Sequence, residues 1–429
     1  MPIRNNEIYH ERDLRAPMTH LNFIFHGAGI QQETEEKTGL ARFTAKMLFR
    51  GTSSLTREEI SRKFELLGAE VSAHVTETDF IIAVSCFSKN LDDALHLLRS
   101  IIAEANFPQQ ELELLKNSEL NQLEASFQEP ERVLSAAHQY VLYEGKGLGK
   151  LASRSGIKNI TREDLAKFFS DVRTSSVLYV TAISDLNGSE IEKAVMPMME
   201  KRDCTGFMLR PELEFRETAH REAIIVHSEG AKNDRLMWSQ GGLTATDDRR
   251  FDLNLVLDAL GSFEGYLFDE LRNKRGWCYG AYAFLIPATS RSGRIGFYAD
   301  PSFENSEQLI PEMFRLLGVF SREDNFRSRL KGRNETFKNR YAYQLDLKFK
   351  LVSRVQKDRF GIPLLDRESY GNRIDHVTSE SAQRVIDEVF NLRRLSMVFY
   401  GDAGRNQRGL SRLDGATPIT ILEKEQLAE

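Results

Sequence analysis

Apolar positions along this chain follow two spacings, and the spacings alternate in the same order twice. In the first half "LNFIFH" reads as a strand, residues 39 to 50 as a helix, and "TREEISRKFELLG" as a second helix opened by a Thr56/Glu59 capping box. The runs "AEVSAHV" and "DFIIAVSCF" read as strands, several helices extend from about Leu91 to Phe169, and "VLYVTAI" closes the half as a strand. The second half offers strands at "EAIIVHS" and "DRLMWSQGG", then a helix from about Asp248 and strands at "YGAYAFLIP" and "GRIGFYAD". Long helices from Ser306 to about Lys357 and a closing strand "LSMVFYG" complete it. Strands followed by a block of helices, twice over, predict an α+β fold: two homologous domains, each a mostly antiparallel sheet with helices packed on one face.

Residue spacing supports the duplication. "ITREDLAKFFSDVRTSSVLYV" (Ile160 to Val180) lays over "VTSESAQRVIDEVFNLRRLSM" (Val377 to Met397) at a constant offset of 217. Each copy reads as a threonine cap (Thr161, Thr378), an amphipathic helix, a turn and a strand. The expected division is an N-terminal domain over 1–205, a linker over 206–218 in "CTGFMLRPELEFRET", and a C-terminal domain over 219–429.

Composition narrows the function classes. A chain of 429 residues with 41% hydrophobic and 28% charged residues is ordinary for a folded globular protein. The balance of 58 basic against 63 acidic residues gives a formal charge of −5, which exerts no strong pull toward nucleic acid or anionic lipid. No run approaches the roughly 18 apolar residues of a bilayer span. Cys86, Cys204 and Cys278 are far apart and lack metal-type C-x-x-C spacing, which suits buried, reduced thiols. "MPIRNNEIYHERDLRAP" holds no leader-like apolar core, so the chain as given reads as cytoplasmic, a periplasmic location standing if a leader had been removed.

The helix over residues 39 to 50 raises the chemical question. Positions 42, 45 and 46 share one helical face, the spacing at which H-x-x-E-H holds a zinc ion between two histidines beside a glutamate base. Here they are Arg42, Ala45 and Lys46. Arginine is not deprotonated in proteins, alanine has no donor atom, and lysine offers an ammonium. A good zinc site gains about 10–16 kcal/mol from its ligands. A fixed cation about 4 Å away would instead cost roughly 8 kcal/mol at an effective dielectric near 20. His20 and His26 lie too far apart on one strand to share a metal, and no phosphate loop or G-x-S-x-G elbow is present. The Asn334 sequon falls in a predicted helix.

With its frame, "GLARFTAKMLFRGT" resembles the inverted motif G-L-A-H-F-x-E-H-M-L-F-x-G-T of the pitrilysin or insulinase family of zinc peptidases. The match holds at Gly39, Leu40, Ala41, Phe43, Met47, Leu48, Phe49, Gly51 and Thr52, and fails at the chemical positions. The resemblance places a third zinc ligand roughly 76 residues beyond Lys46, which reaches Gln122, with Glu119 and Glu124 nearby if a gap intervenes. Ser72 and Ala73 stand where relatives carry Asn-Ala on an edge strand that pairs with substrate. "YLFDELRNKRGWCYGAY" is similar to the family's second-half signature, whose Arg and Tyr correspond to Arg272 and Tyr279, with Tyr266 where many relatives have another Arg.

The resemblance implies a non-catalytic subunit of a heterodimeric zinc peptidase. This chain would hold no cofactor, zinc would sit in a homologous H-x-x-E-H partner, and two chains would enclose an extended peptide in a clamshell of four domains. Arg272 and Tyr279 would bind small or unfolded peptides at that partner's active site. The alternative is a purely structural homologue of the core-subunit type, without peptidase output.

Overall fold

Eleven strands form among the described residues, and they are arranged in two sheets. The computed structural model describes residues 7–144, 153–199, 215–286, 292–322, 326–346, 351, 355, 361–362, 365–413 and 416–427. The first sheet contains β1 (Glu7–Arg12), β2 (Met18–His26), β3 (Glu70–Val75), β4 (Asp79–Phe87) and β5 (Val177–Ser184). The second contains β6 (Glu222–His227), β7 (Arg235–Thr244), β8 (Cys278–Ile286), β9 (Ser292–Pro301), β10 (Ser396–Gly401) and β11 (Ile419–Glu423).

Their order is β1-β5-β2-β4-β3 in one sheet and β11-β6-β10-β7-β9-β8 in the other. Setting β11 aside, each half threads its strands as first, fifth, second, fourth, third. In each, the first and fifth are parallel and the rest antiparallel. The duplication is therefore visible in topology as well as in residue spacing. The capping boxes at Thr161 and Thr378 start the helices Arg162–Ser175 and Ser379–Val389, which lead into β5 and β10. Neither β1 nor β11 was expected. Both are edge strands of mixed polarity that pair in parallel with distant residues, so no hairpin turn announces them.

Along β2 the side chains alternate: Leu21, Phe23 and Phe25 enter the main core of the first unit. There they meet α1 (Leu40–Met47), α2 (Arg57–Leu66), α3 (Leu91–Glu104) and α4 (Gln109–Ser126). Phe43, Met47, Phe64 and Leu98 are buried in this layer, each contributing about 1.5–3 kcal/mol by leaving water. Ile24, Ile81 and Tyr179 point to the opposite face, where they pack with Leu351 and Val355.

That pairing shows how the units are built from the chain. One unit comprises residues 1–123, 152–213 and 351–359, and the other 124–151, 214–350 and 360–429. The break between residues 213 and 214 falls inside the expected 206–218 linker, most of which lies outside the described residues. The halves are not contiguous as expected, however. Helix α5 (Pro130–Tyr143) belongs to the second unit, packing on β7 and β10, while Leu351 and Val355 return to the first. An amphipathic helix shows which of its faces needs cover but not which sheet provides it.

Candidate functional site

Helix α1 begins at Gly39, whose φ of +95° is a left-handed conformation that glycine adopts without strain. Glu33 accepts hydrogen bonds from the N–H groups of Gly39 and Ala41, both at 2.8 Å, capping the helix with a carboxylate. Ala41, Phe43, Ala45 and Met47 turn inward, leaving Arg42 and Lys46 exposed on one face. Ala45 is 3% exposed.

On this face, where the family motif carries zinc ligands, the side chains of this chain are Arg42, Ala45 and Lys46, a donor set that does not suit a metal. Lys46 Nζ donates to Glu119 Oε1 of α4 at 2.5 Å. Glu111, two turns earlier on α4, accepts from Arg50 at 2.9 Å and lies 3.6 Å from Arg57. Both carboxylates are thus engaged by fixed cations. The side chain that meets Lys46 is Glu119; Gln122, where the ungapped count landed, is exposed one turn further on. Arg42 makes no ion pair among the described residues, and no group of three His, Cys, Asp or Glu side chains there is placed to hold a metal. His20 bonds Ser85 at the surface, and His26 pairs with Asp79 at 2.6 Å in the interior.

In the second unit the chain leaves Gly265 as a short helical turn, Tyr266–Phe268, and widens to a π turn over Asp269–Asn273. Such bulges recur at functional positions because they re-aim a side chain. This one carries Arg272. The ladder of β8 with β9 then slips between Cys278 and Ala281, and the bulge carries Tyr279 outward. Tyr279 is 73% exposed. Arg272 Nη1 donates to the carbonyl of Tyr279 at 2.6 Å, and its guanidinium lies 4.5 Å from the Tyr279 ring centre and 4.9 Å from that of Phe268. The guanidinium is therefore held by one backbone bond and two rings, with its further N–H groups unbonded among the described residues.

Neighbouring charges are spent on each other. Glu270 takes Lys274 at 2.5 Å and Arg275 at 2.7 Å, and Asp269 takes Arg329 at 3.0 Å. Asp269, Arg329 and Arg272 line an open depression of about 570 Å³ with Phe263 and Phe268. Asp300 accepts the N–H of Gly280 at 2.5 Å behind the bulge, and burial pushes its carboxyl up from the ordinary range. Tyr266 is buried against Phe320, 5.3 Å between rings, so it packs in the core.

Phe268 was not singled out from the sequence, although its place four residues before Arg272 put it on the same helical side. Glu119 stood only as a gapped alternative. Cys86 and Cys278 are buried and their thiols are pushed up to about 11 and about 12 by desolvation, so both are inert at neutral pH; Cys204 lies outside the described residues. Asn334 lies in the helix Arg333–Asp346 and donates to Ile374 O at 3.0 Å.

A duplicated α+β unit with a helical layer on a mostly antiparallel sheet is the two-domain class found in insulinase-type peptidases. The insulinase (peptidase family M16) model matches residues 23–152, and the peptidase M16 inactive domain model matches 159–324. The chain belongs to this family. An uncharacterized zinc protease of Bacillus subtilis is 22% identical over 341 residues, covering 78% of this chain and 81% of the relative. A probable mitochondrial-processing peptidase subunit beta of Arabidopsis thaliana is 26% identical over 180 residues, 42% of this chain and 34% of the relative. The solved peptidase M16 inactive domain from Pseudomonas fluorescens has a TM-score of 0.74 at 22% identity, covering 92% of this chain and 95% of that one. No helix among the described residues is long and apolar enough to cross a membrane.

Proposed function

We propose that this chain is the non-catalytic member of a paired M16 zinc peptidase, lending Arg272 and Tyr279 to peptide bound at the active site of an H-x-x-E-H subunit. The observation that carries this reading is an exposed Tyr279 at the start of an edge strand with a half-buried Arg272 oriented onto it. Helix α1 meanwhile presents cations where the family carries its ligands. The matching relative named as a processing-peptidase subunit supports a partnered role.

The chemistry asked of this chain is donation. A scissile carbonyl gains negative charge as it is attacked, and preoriented donors lower that barrier because they need no rearrangement. Tyr279 offers one phenolic O–H, and Arg272 a planar fork already fixed on its carbonyl side. An extended small or unfolded peptide suits a sheet edge, where backbone bonding is tolerant of sequence. Zinc and the attacking water belong to the partner in this reading.

The test mixes the chain with its H-x-x-E-H subunit and measures peptide hydrolysis and assembly together. Tyr279→Phe and Arg272→Ala should each lower kcat/KM by about 10²-fold or more with assembly by size exclusion unchanged. Unaltered kcat/KM in an intact assembly would leave the scaffold role as the correct one.

A further inference from the structure

A second cavity in the C-terminal unit has no part in the peptide site. It measures about 280 Å³, and its lining includes Thr218, Gly242, Arg249, Arg294, Glu388 and Arg394. Arg294 projects from β9 and is 1% exposed. Its Nη1 donates to Arg216 O at 3.0 Å and its Nη2 reaches Ser239 Oγ at 3.4 Å, while its Nε has no acceptor and the guanidinium makes no ion pair among the described residues. The hydroxyl of Thr218, 6% exposed, also has no partner among the described residues. Two donors of lining residues, buried without acceptors among the described residues, are costly unless something fills them.

The surrounding carboxylates do not. Glu388 is taken by Arg249 at 2.8 Å, and Asp247 holds the same guanidinium at 2.7 Å. Glu217 stands exposed at the mouth and influences Arg294 only at longer range. Ser239 Oγ also bonds His138 Nε2 at 2.9 Å, and that imidazole is kept neutral, its pKa pushed down to about 3 by burial and by Arg294. Burial lowers the Arg294 guanidinium to about 10, which still leaves it charged at neutral pH. Arg394 lies exposed at the rim without an ion-pair partner among the described residues. The bulge between Gly241 and Thr244 in β7 keeps the intervening residues out of the ladder beside Arg294.

We infer that this cavity is a binding site for a small oxyanion, a phosphate or carboxylate group, seated on Arg294 with Thr218 and Arg394 completing its shell. The guanidinium fork matches either group, and the volume, at the small end of ligand pockets, favours a compact anion over a large cofactor.

Calorimetric titration and ligand-dependent Tm of the full chain test this, with inorganic phosphate and acetate as probes and sodium chloride holding ionic strength constant. Saturable binding of either anion is expected. Phosphate alone assigns a phosphoryl ligand, and acetate alone an organic or peptide carboxylate. Arg394→Ala, at the exposed rim, should weaken Kd about tenfold, and Glu217→Gln should tighten it by removing a competing charge. Arg294→Met should abolish binding. Absence of saturable binding by both probes, or unchanged Kd in both Arg394→Ala and Glu217→Gln, overturns the assignment.

Discussion

Single residues set the local electrostatics of each unit. Lys46 satisfies Glu119 with one ammonium, so a carboxylate that could serve a metal is matched by a covalently attached cation. Because the pair is partly solvated, its worth is small: Lys46→Met should lower stability by less than about 1 kcal/mol in urea titration. His138 behaves oppositely. Its folded pKa lies near 3 against an ordinary 6.5, so the unfolded chain binds the proton first as pH falls. The stabilising difference is fully present above about pH 6.5 and is lost as pH drops through the window toward 3. Between pH 7 and 5 the wild type should lose on the order of 2 kcal/mol through this group, and His138→Gln should show a correspondingly flatter profile in denaturant midpoints.

Elements position the residues that reach outward. Arg272 and Tyr279 are seven apart in sequence, and the π turn and the bulge in β8 bring the guanidinium onto the tyrosine carbonyl. The helix Arg250–Gly261 sets the height of this strand by direct backbone contact. A Cβ at Gly261 would come within 1.8 Å of the Ala283 nitrogen. Gly261→Ala should therefore cost about 3 kcal/mol in thermal or denaturant unfolding and shift β8 with its exposed Tyr279. A Tm close to wild type would show that the strand can yield. Helix, strand and cap were legible from the residues because each has a local cause, such as the Thr56 and Thr161 boxes or the alternation in "DFIIAVSCF". The π turn and the bulge have no local periodicity to betray them.

At the scale of the molecule, each unit borrows from the other half of the chain. Leu351 and Val355 cover Ile24, Ile81 and Tyr179, while α5 covers β7 and β10. Residues 1–205 alone would leave one apolar sheet face uncovered and carry an α5 without its sheet. Expressed separately, 1–205 and 219–429 should aggregate, and co-expression should restore soluble material. Soluble, folded halves by circular dichroism and size exclusion would contradict this.

By itself the sequence determined the repeated α+β pattern and the family frame around Gly39 to Thr52, because periodicity, caps and residue identity are local. Tertiary structure alone decided that Glu119 meets Lys46, that α5 crosses to the second sheet, and that Arg294 is buried at a cavity with no ion-pair partner among the described residues. Each depends on which distant surfaces pack together, a choice governed by the burial of whole faces, and residue spacing carries no record of it.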